Sequence, residues 1–267
     1  MSNVVRWLDR LFLSDPRVVG EDARLGADVP EISPAETAEV AKAIIGRRVA
    51  FATGRACARR ALARLEVTSF DLRNGVDRAP RWPDGIVGSI THTGAAPGGY
   101  CGVVVGRSAD LAALGVDAEQ WSRLTPALWN RVLTRDELAW VEGHDDDEER
   151  RIWATVIFSA KESFYKAQYP SSGRFLNFHD VEVTVEASDS TFGVRVLSPS
   201  AGAAGLSSCR GRFLRVEEFV LTGVAVPALE ATATIEAIPP RPRASIRPPF
   251  TQTPSALTHT GQFDQEA

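Results

Sequence analysis

Cysteine is nearly absent: the 267 residues hold three, Cys57, Cys101 and Cys209, far apart and in no Cys-x-x-Cys pair. An odd, scattered set excludes a disulfide framework and a zinc site built on paired cysteines, and reads as small buried apolar residues. Long apolar runs are missing as well, since no stretch approaches the roughly 18 residues of a membrane span. Residues 1–15 lack the apolar core and small-residue cleavage site of a secretory signal. An excess of positive charge is also missing: the net charge is −4, which does not suit a nucleic-acid groove. These absences predict a soluble protein in a reducing, cytoplasmic setting, with neither membrane nor nucleic acid among its partners.

What the chain does have is 44% apolar residues, enough to bury a core as one large domain or two small ones. Residues 1–31 read as short helical patches broken by Pro16, Gly20 and Pro30, with Trp7, Leu8, Leu11 and Phe12 forming an amphipathic pair of turns. Ser33-Pro34-Ala35-Glu36 is a capping box with proline at the first helical position, predicting a helix over residues 34–45. A second helix is expected over 49–65. It and its lead-in are dense in arginine (Arg47, Arg48, Arg55, Arg59, Arg60 and Arg64), which is either a solvated face or a phosphate-binding edge. A turn-rich stretch follows over 74–85. Strands are expected at 88–93 and 100–106, joined as a hairpin through Gly94 and Gly99, with His92 at a strand tip. Helix is expected over 126–141, an exposed acidic loop over 145–149, and a helix over 151–168. A hairpin is expected at 181–186 and 192–197, and one or two strands over 212–226. From residue 238 the chain turns to proline and polar residues, and a disordered tail over 238–267 is expected. Helix-then-strand order on both sides of residue 111 suggests an α+β fold of two similar lobes, 1–110 and 111–237, each a small sheet with packed helices and a site between them.

Two stretches carry chemistry. The apolar run Leu111-Ala-Ala-Leu-Gly-Val ends abruptly in Asp117-Ala118-Glu119. Residues two apart on an extended chain face the same side, so the two carboxylates either enter solvent or hold a hard cation such as Mg2+ between them. In the helix over 151–168, Trp153, Ile157, Ala160 and Phe164 form an apolar stripe, and Thr155, Ser159, Glu162, Ser163 and Lys166 form a polar one. Glu162 and Lys166 stand at i and i+4, with Lys161 beside them. They are either a solvated helix ion pair or a carboxylate ligand and base flanked by cations. Together with the arginines and His92, these pieces describe a magnesium-dependent phosphate site.

Gly115-Val116-Asp117-Ala118-Glu119, followed about forty residues later by Phe158-Ser159-Ala160-Lys161-Glu162-Ser163-Phe164-Tyr165-Lys166-Ala167, resembles the paired signature of 4′-phosphopantetheinyl transferases. Trp82-Pro83-Asp84-Gly85 with Gly88-Ser89-Ile90-Thr91-His92, and the pattern around Gly54-Arg55-Ala56-Cys57, are similar to the surfactin- and enterobactin-type branch. The likeness covers roughly residues 40–185. It implies two pseudo-symmetric lobes that bind coenzyme A in the cleft, and since two lobes in one chain already complete a site, a monomer is expected. The phosphopantetheine group then passes to a serine of an apo acyl or peptidyl carrier protein, releasing adenosine 3′,5′-bisphosphate. By position it also implies Asp117, Glu119 and Glu162 as Mg2+ ligands, Glu162 as base, and Lys161 and Lys166 as phosphate contacts. Ser89, Thr91, His92, Arg47, Arg55 and one of Arg73 or Arg78 would surround coenzyme A. Siderophore, nonribosomal-peptide or polyketide carriers are the expected acceptors. The chain departs from the pattern in having Phe158 where a tryptophan commonly starts the second motif, and Ala118, which offers no ligand. A non-catalytic carrier-binding relative and a Mg2+-dependent phosphohydrolase are the competing readings.

Overall fold

The computed structural model describes residues 4–197 and 206–228; the expected tail over 238–267 lies outside them. The chain begins with β1 (Val4–Val5), α1 (Trp7–Leu11) and β2 (Val19–Arg24), then α2 (Pro34–Glu39) and α3 (Ile45–Arg64), then β3 (Ile86–Thr93) and β4 (Tyr100–Arg107). It continues with β5 (Leu111–Gln120), α4 (Pro126–Val132), α5 (Arg135–Glu142) and α6 (Asp147–Ser172), and closes with β6 (Val181–Glu186), β7 (Thr191–Val196), β8 (Ser208–Val216) and β9 (Phe219–Pro227). Two antiparallel sheets result, ordered β1-β2-β4-β3 and β5-β9-β8-β7-β6. Each carries one long helix: α3 packs on β2 and β4, and α6 on β5 and β9. This is the two-lobed α+β architecture the sequence predicts.

Several elements differ from expectation for local reasons. β2 was expected as helical patches. Its sequence, Val-Gly-Glu-Asp-Ala-Arg, shows no clean alternation, and it is a strand because β4 pairs with its full length. The Ser33 capping box forms, but α2 stops at Glu39 and α3 begins at Ile45, so only the first half of the helix expected over 34–45 is helical before a turn leads into α3. The helix expected over 126–141 breaks at Leu133, whose backbone is extended, and Thr134 with Glu137 opens α5 as a second capping box. The acidic run is no loop. Asp146 caps α6 through the Glu149 amide, and Asp147, Glu148 and Glu149 fill its first turn, where carboxylates favour the positive end of the helix.

Trp7, Leu8 and Leu11 of α1 pack with Tyr100 of the first lobe and with Leu114, Val116, Phe219 and Leu221 of the second, making one core across the seam. Asp22 anchors α1 there. One of its oxygens accepts from the Trp7 amide at 2.9 Å, the Leu8 amide at 3.1 Å and the Tyr100 hydroxyl at 3.0 Å. Desolvation raises the Asp22 carboxyl from its ordinary 3.8 to about 6, against the pull of those donors. Because the folded value lies above the unfolded one, this group's contribution to stability falls as pH rises from about 3.8 through about 6. Asp22→Ala strands three donors and is expected to cost about 3 kcal/mol in denaturant unfolding at pH 7. Asp22→Asn should flatten the pH slope in that window, and wild-type unfolding in Asp22→Ala would refute the anchor.

No helix among the described residues is long and apolar enough to cross a membrane.

Candidate active site

The site lies where β3 and β5, each the outer strand of its sheet, run side by side. No ladder joins them. Instead, the Ser89 hydroxyl accepts from the Val116 amide at 3.1 Å and the Thr91 hydroxyl from the Ala118 amide at 2.9 Å. Alternation along β3 therefore puts Ser89, Thr91 and Thr93 on β5, and alternation along β5 puts Asp117 and Glu119 together on one side. Thr91 also donates toward Asp117 at 3.4 Å, and Thr93 to Glu119 at 3.3 Å.

α6 crosses β5 at Gly115. A Cβ there would collide with the Ser163 carbonyl oxygen and lie 3.0 Å from the Ala167 nitrogen. Glycine thus lets helix backbone rest on strand backbone, and that contact delivers the helix side chains to the carboxylates. Lys166 donates to Asp117 at 2.8 Å and to the Val116 carbonyl at 3.2 Å. Ser159 donates to the other Asp117 oxygen at 2.7 Å, and Thr222 of β9 donates to the Ser159 carbonyl at 2.8 Å. The polar stripe of α6 is therefore no solvated face: Thr155, Ser159 and Ser163 are fully buried.

Three carboxylates share this place. Burial, then Asp117, raises Glu162 to about 7. Burial, then Asp117 and more weakly Glu162, raises Glu119 to about 8, with Arg123 and Lys166 opposing. Burial alone would lower the Lys166 ammonium, but Asp117, Glu162 and Glu119 hold it above its ordinary range. Across the seam, the Arg47 guanidinium lies 2.8 Å from the His92 ring nitrogen at the end of β3. Desolvation lowers the imidazole pKa, and Arg47 and Lys166 push the same way. A recess of about 90 Å³ beside Glu119 is lined by Gln120, Arg123, Leu124, Thr155 and Phe158. A larger hollow, about 590 Å³, lies elsewhere on the first lobe, lined by Glu31–Pro34, Arg59 and Ser69–Asp71.

Asp117, Glu119, Glu162, Lys166, His92 and Arg47 thus converge on one seam, and other expected site residues do not. Lys161 points into the second lobe, fully buried, and donates to Glu137, Val132 and Phe178, so the expected phosphate contact is withdrawn. Arg55 is buried over the Phe51 ring and donates to the Leu72 carbonyl and to Asn74, holding the loop before β3 from beneath. The Ser89 and Thr91 hydroxyls are taken up by β5. Arg73 faces Glu39 at 3.5 Å, and Arg78 sits at a left-handed turn with φ 64°. Most of the arginine-dense helix serves its own lobe: Arg59 pairs with Glu36, and Arg60 and Arg64 with Glu21. Thr93 and the Ser159–Thr222 pair were missed as site residues. Period-two alternation from Thr91 would have found the first, and the polar stripe of α6 already held Ser159.

The donor chemistry suits a hard cation, with three carboxylates and a single bonded ammonium in a desolvated place. Among the described residues, however, no group of three or more His, Cys, Asp or Glu side chains is arranged to hold a metal ion. Lys166 is bonded to Asp117 instead. Acids and an ammonium stand on one wall, and a guanidinium and an imidazole on the other, a set of groups whose chemistry suits phosphate esters.

The model of the 4′-phosphopantetheinyl transferase N-terminal domain matches residues 35–106, and that of the 4′-phosphopantetheinyl transferase superfamily matches residues 113–210. The chain is similar to the 4′-phosphopantetheinyl transferase Svp of Streptomyces mobaraensis, 40% identical over 202 residues that cover 75% of this chain and 80% of that protein. It is also similar to PptT of Mycobacterium tuberculosis, 35% identical over 226 residues, 78% of this chain and 94% of that one. With Npt of Nocardia iowensis it shares 33% identity over 202 residues, 72% and 88% of the two chains. The seam therefore belongs to a group-transfer enzyme. The chain is a member of the 4′-phosphopantetheinyl transferase superfamily.

Proposed function

We propose that this enzyme transfers 4′-phosphopantetheine from coenzyme A to a serine hydroxyl of an apo acyl or peptidyl carrier protein and releases adenosine 3′,5′-bisphosphate. The observation that carries the reading is the junction of Asp117, Glu162 and Lys166 opposite the Arg47–His92 pair. Coenzyme A brings a terminal 3′-phosphate and a pyrophosphate. Arg47 and His92 suit the first as hydrogen-bond donors at the rim of the cleft. Lys166 suits the second, where charge builds as the phosphoanhydride bond breaks. Glu162, near pKa 7, accepts the serine proton at neutral pH. The serine oxygen bonds to the β-phosphorus, the phosphoanhydride oxygen leaves with the bisphosphate, and the proton ends on Glu162. Asp117, Glu119 and Glu162 would hold Mg2+, which when bound neutralises pyrophosphate charge. Two lobes in one chain complete the cleft, so the proposed unit is a monomer, working on carriers of siderophore, nonribosomal-peptide or polyketide synthesis.

The test is the intact mass of an apo carrier protein incubated with this enzyme, coenzyme A and Mg2+, with a chelated control. A gain of one phosphopantetheine that disappears on chelation is expected. No gain on any of a panel of carriers would overturn the reading, and coenzyme A cleaved without a gain would make the enzyme a hydrolase.

A further inference from the structure

Lysine occurs three times in the sequence, at Lys42, Lys161 and Lys166, and arginine supplies every other long-chain cation. Two of the three stand five residues apart on α6, and five residues turn a helix to roughly 140° from the starting direction, so they cannot serve one ligand from one face. Lys166 reaches the cleft. Lys161 reaches a cage inside the lobe, where its ammonium donates to Glu137 Oε2 at 2.7 Å, the Val132 carbonyl at 2.9 Å and the Phe178 carbonyl at 2.7 Å. Three donors meet three acceptors, and the side chains of both Lys161 and Glu137 are wholly buried. A flat guanidinium could not aim its donors this way, which accounts for lysine at this position in an arginine-rich chain.

Glu137 is saturated too. The same Oε2 accepts from the Thr134 amide at 2.7 Å, and Oε1 accepts from the Val183 amide at 2.6 Å. Five hydrogen bonds thus join the last residue of α4, the cap of α5, the middle of α6, the turn before β6, and β6 itself. The residue after Lys161 is Glu162, and Lys166 is little more than one turn further on. Any slide or roll of α6 about this hub changes their reach to Asp117.

We propose that Lys161 is a positioning residue: its buried hub with Glu137 fixes the rotation and height of α6, setting Glu162 and Lys166 against Asp117, and its ammonium touches no substrate. The kinetic half of this rests on the transferase reading, and the structural half does not.

A buried pair that loses one partner leaves the other uncompensated, whereas exchanging both can be nearly neutral, so the double variant is the decisive one. Lys161→Met and Glu137→Gln should each lower kcat by about 100-fold, the penalty of an ångström-scale misplacement, with KM for coenzyme A within about twofold. Lys161→Met with Glu137→Gln should recover to within about tenfold of the wild-type kcat. With lysine labelled with 13C at Cε, the full-length protein gives three side-chain signals. Coenzyme A should move that of Lys166 and leave that of Lys161 in place. The Lys166 signal should be displaced in Lys161→Met and return in the double variant. A folded double variant as slow as Lys161→Met, or a Lys161 signal that moves with coenzyme A as far as that of Lys166, would overturn the proposal. Should Lys161→Met fail to fold, the double variant and the wild-type titration still decide. Absence of transfer by the wild type would sink the transferase reading alone, because the Lys166 signal in the variants reports on the hub without turnover.

Discussion

Asp117→Asn is expected to reduce transfer by about a thousandfold while the protein keeps its fold. The substitution preserves shape and removes one charge. Asparagine can still accept from Lys166 at the near oxygen and can reorient its bond with Ser159, whose hydroxyl has Thr222 as a further partner. Stability should change by less than about 1 kcal/mol, because the loss of the Lys166 ion pair is offset by relief of Glu119 and Glu162. Asp117 is a named cause of the raised pKa of both, so both should ionise more readily in the variant. Easier ionisation of Glu162 supplies more carboxylate but a weaker base, so by itself it changes proton transfer from serine little. A rate that nevertheless collapses must come from loss of the negative charge that fixes Lys166 and, on the proposed reading, a divalent cation. The magnitude is set by the roughly 100- to 1000-fold effect of removing one preorganised electrostatic group from a transfer site, extended by the loss of a cation. Carrier mass against time, with melting temperature as the control, checks it. Transfer at more than a tenth of the wild-type rate would remove Asp117 from the chemistry.

How far such a site can be read without coordinates depends on the range of the interactions that build it. β5 was legible because an apolar run that stops at two acids has a single register on a buried strand. The middle of α6 and its buried stripe were legible from the helical period, but not its acidic first turn or its last residues, so that it runs over Asp147–Ser172 and not the expected 151–168. The direction of Lys161 was not. Its neighbours suggested a polar face, but helix geometry sends it to the opposite side from Lys166, and its partner Glu137 lies 24 residues earlier on another helix. The partners of Arg55 were hidden for a similar reason. A guanidinium that stacks on Phe51 and supports the Leu72–Asn74 loop looks, in sequence, like any other in an arginine run. Ser89 and Thr91 sit in the expected place, but the strand they were expected to end is joined sideways to β5, which no pattern within residues 86–93 could show. β2 was missed because its pairing is with β4, some eighty residues later. Local period and capping chemistry are written in short windows, and partners across the seam are not.

The other large effect is steric. Gly115→Ala adds one methyl group at a strand position that needs no unusual backbone angle, so all of its effect must come from space. The methyl carbon would press into the Ser163 carbonyl, with Ala167 backbone behind it, and neither can rotate away as a side chain would. Either β5 bows toward β9, to which it is paired almost throughout, or α6 lifts off the sheet. Lifting is the softer route, since it strains packing rather than a ladder of hydrogen bonds. Overpacking of this kind typically costs about 1–3 kcal/mol, and an obstacle made of backbone should place Gly115→Ala at or above the upper end. Glu162 and Lys166 bracket Ser163 and move with it. An ångström of lift should slow transfer about 100-fold in molecules that remain folded. Gly46→Ala is the matched control: the same methyl group at the start of α3 meets nothing within 4 Å and should be neutral or slightly stabilising. Unfolding midpoints and carrier-transfer rates for the two variants separate crowding at one position from a general intolerance of alanine. If Gly115→Ala melts and turns over like Gly46→Ala, the close contact of α6 with β5 is not what places the catalytic helix.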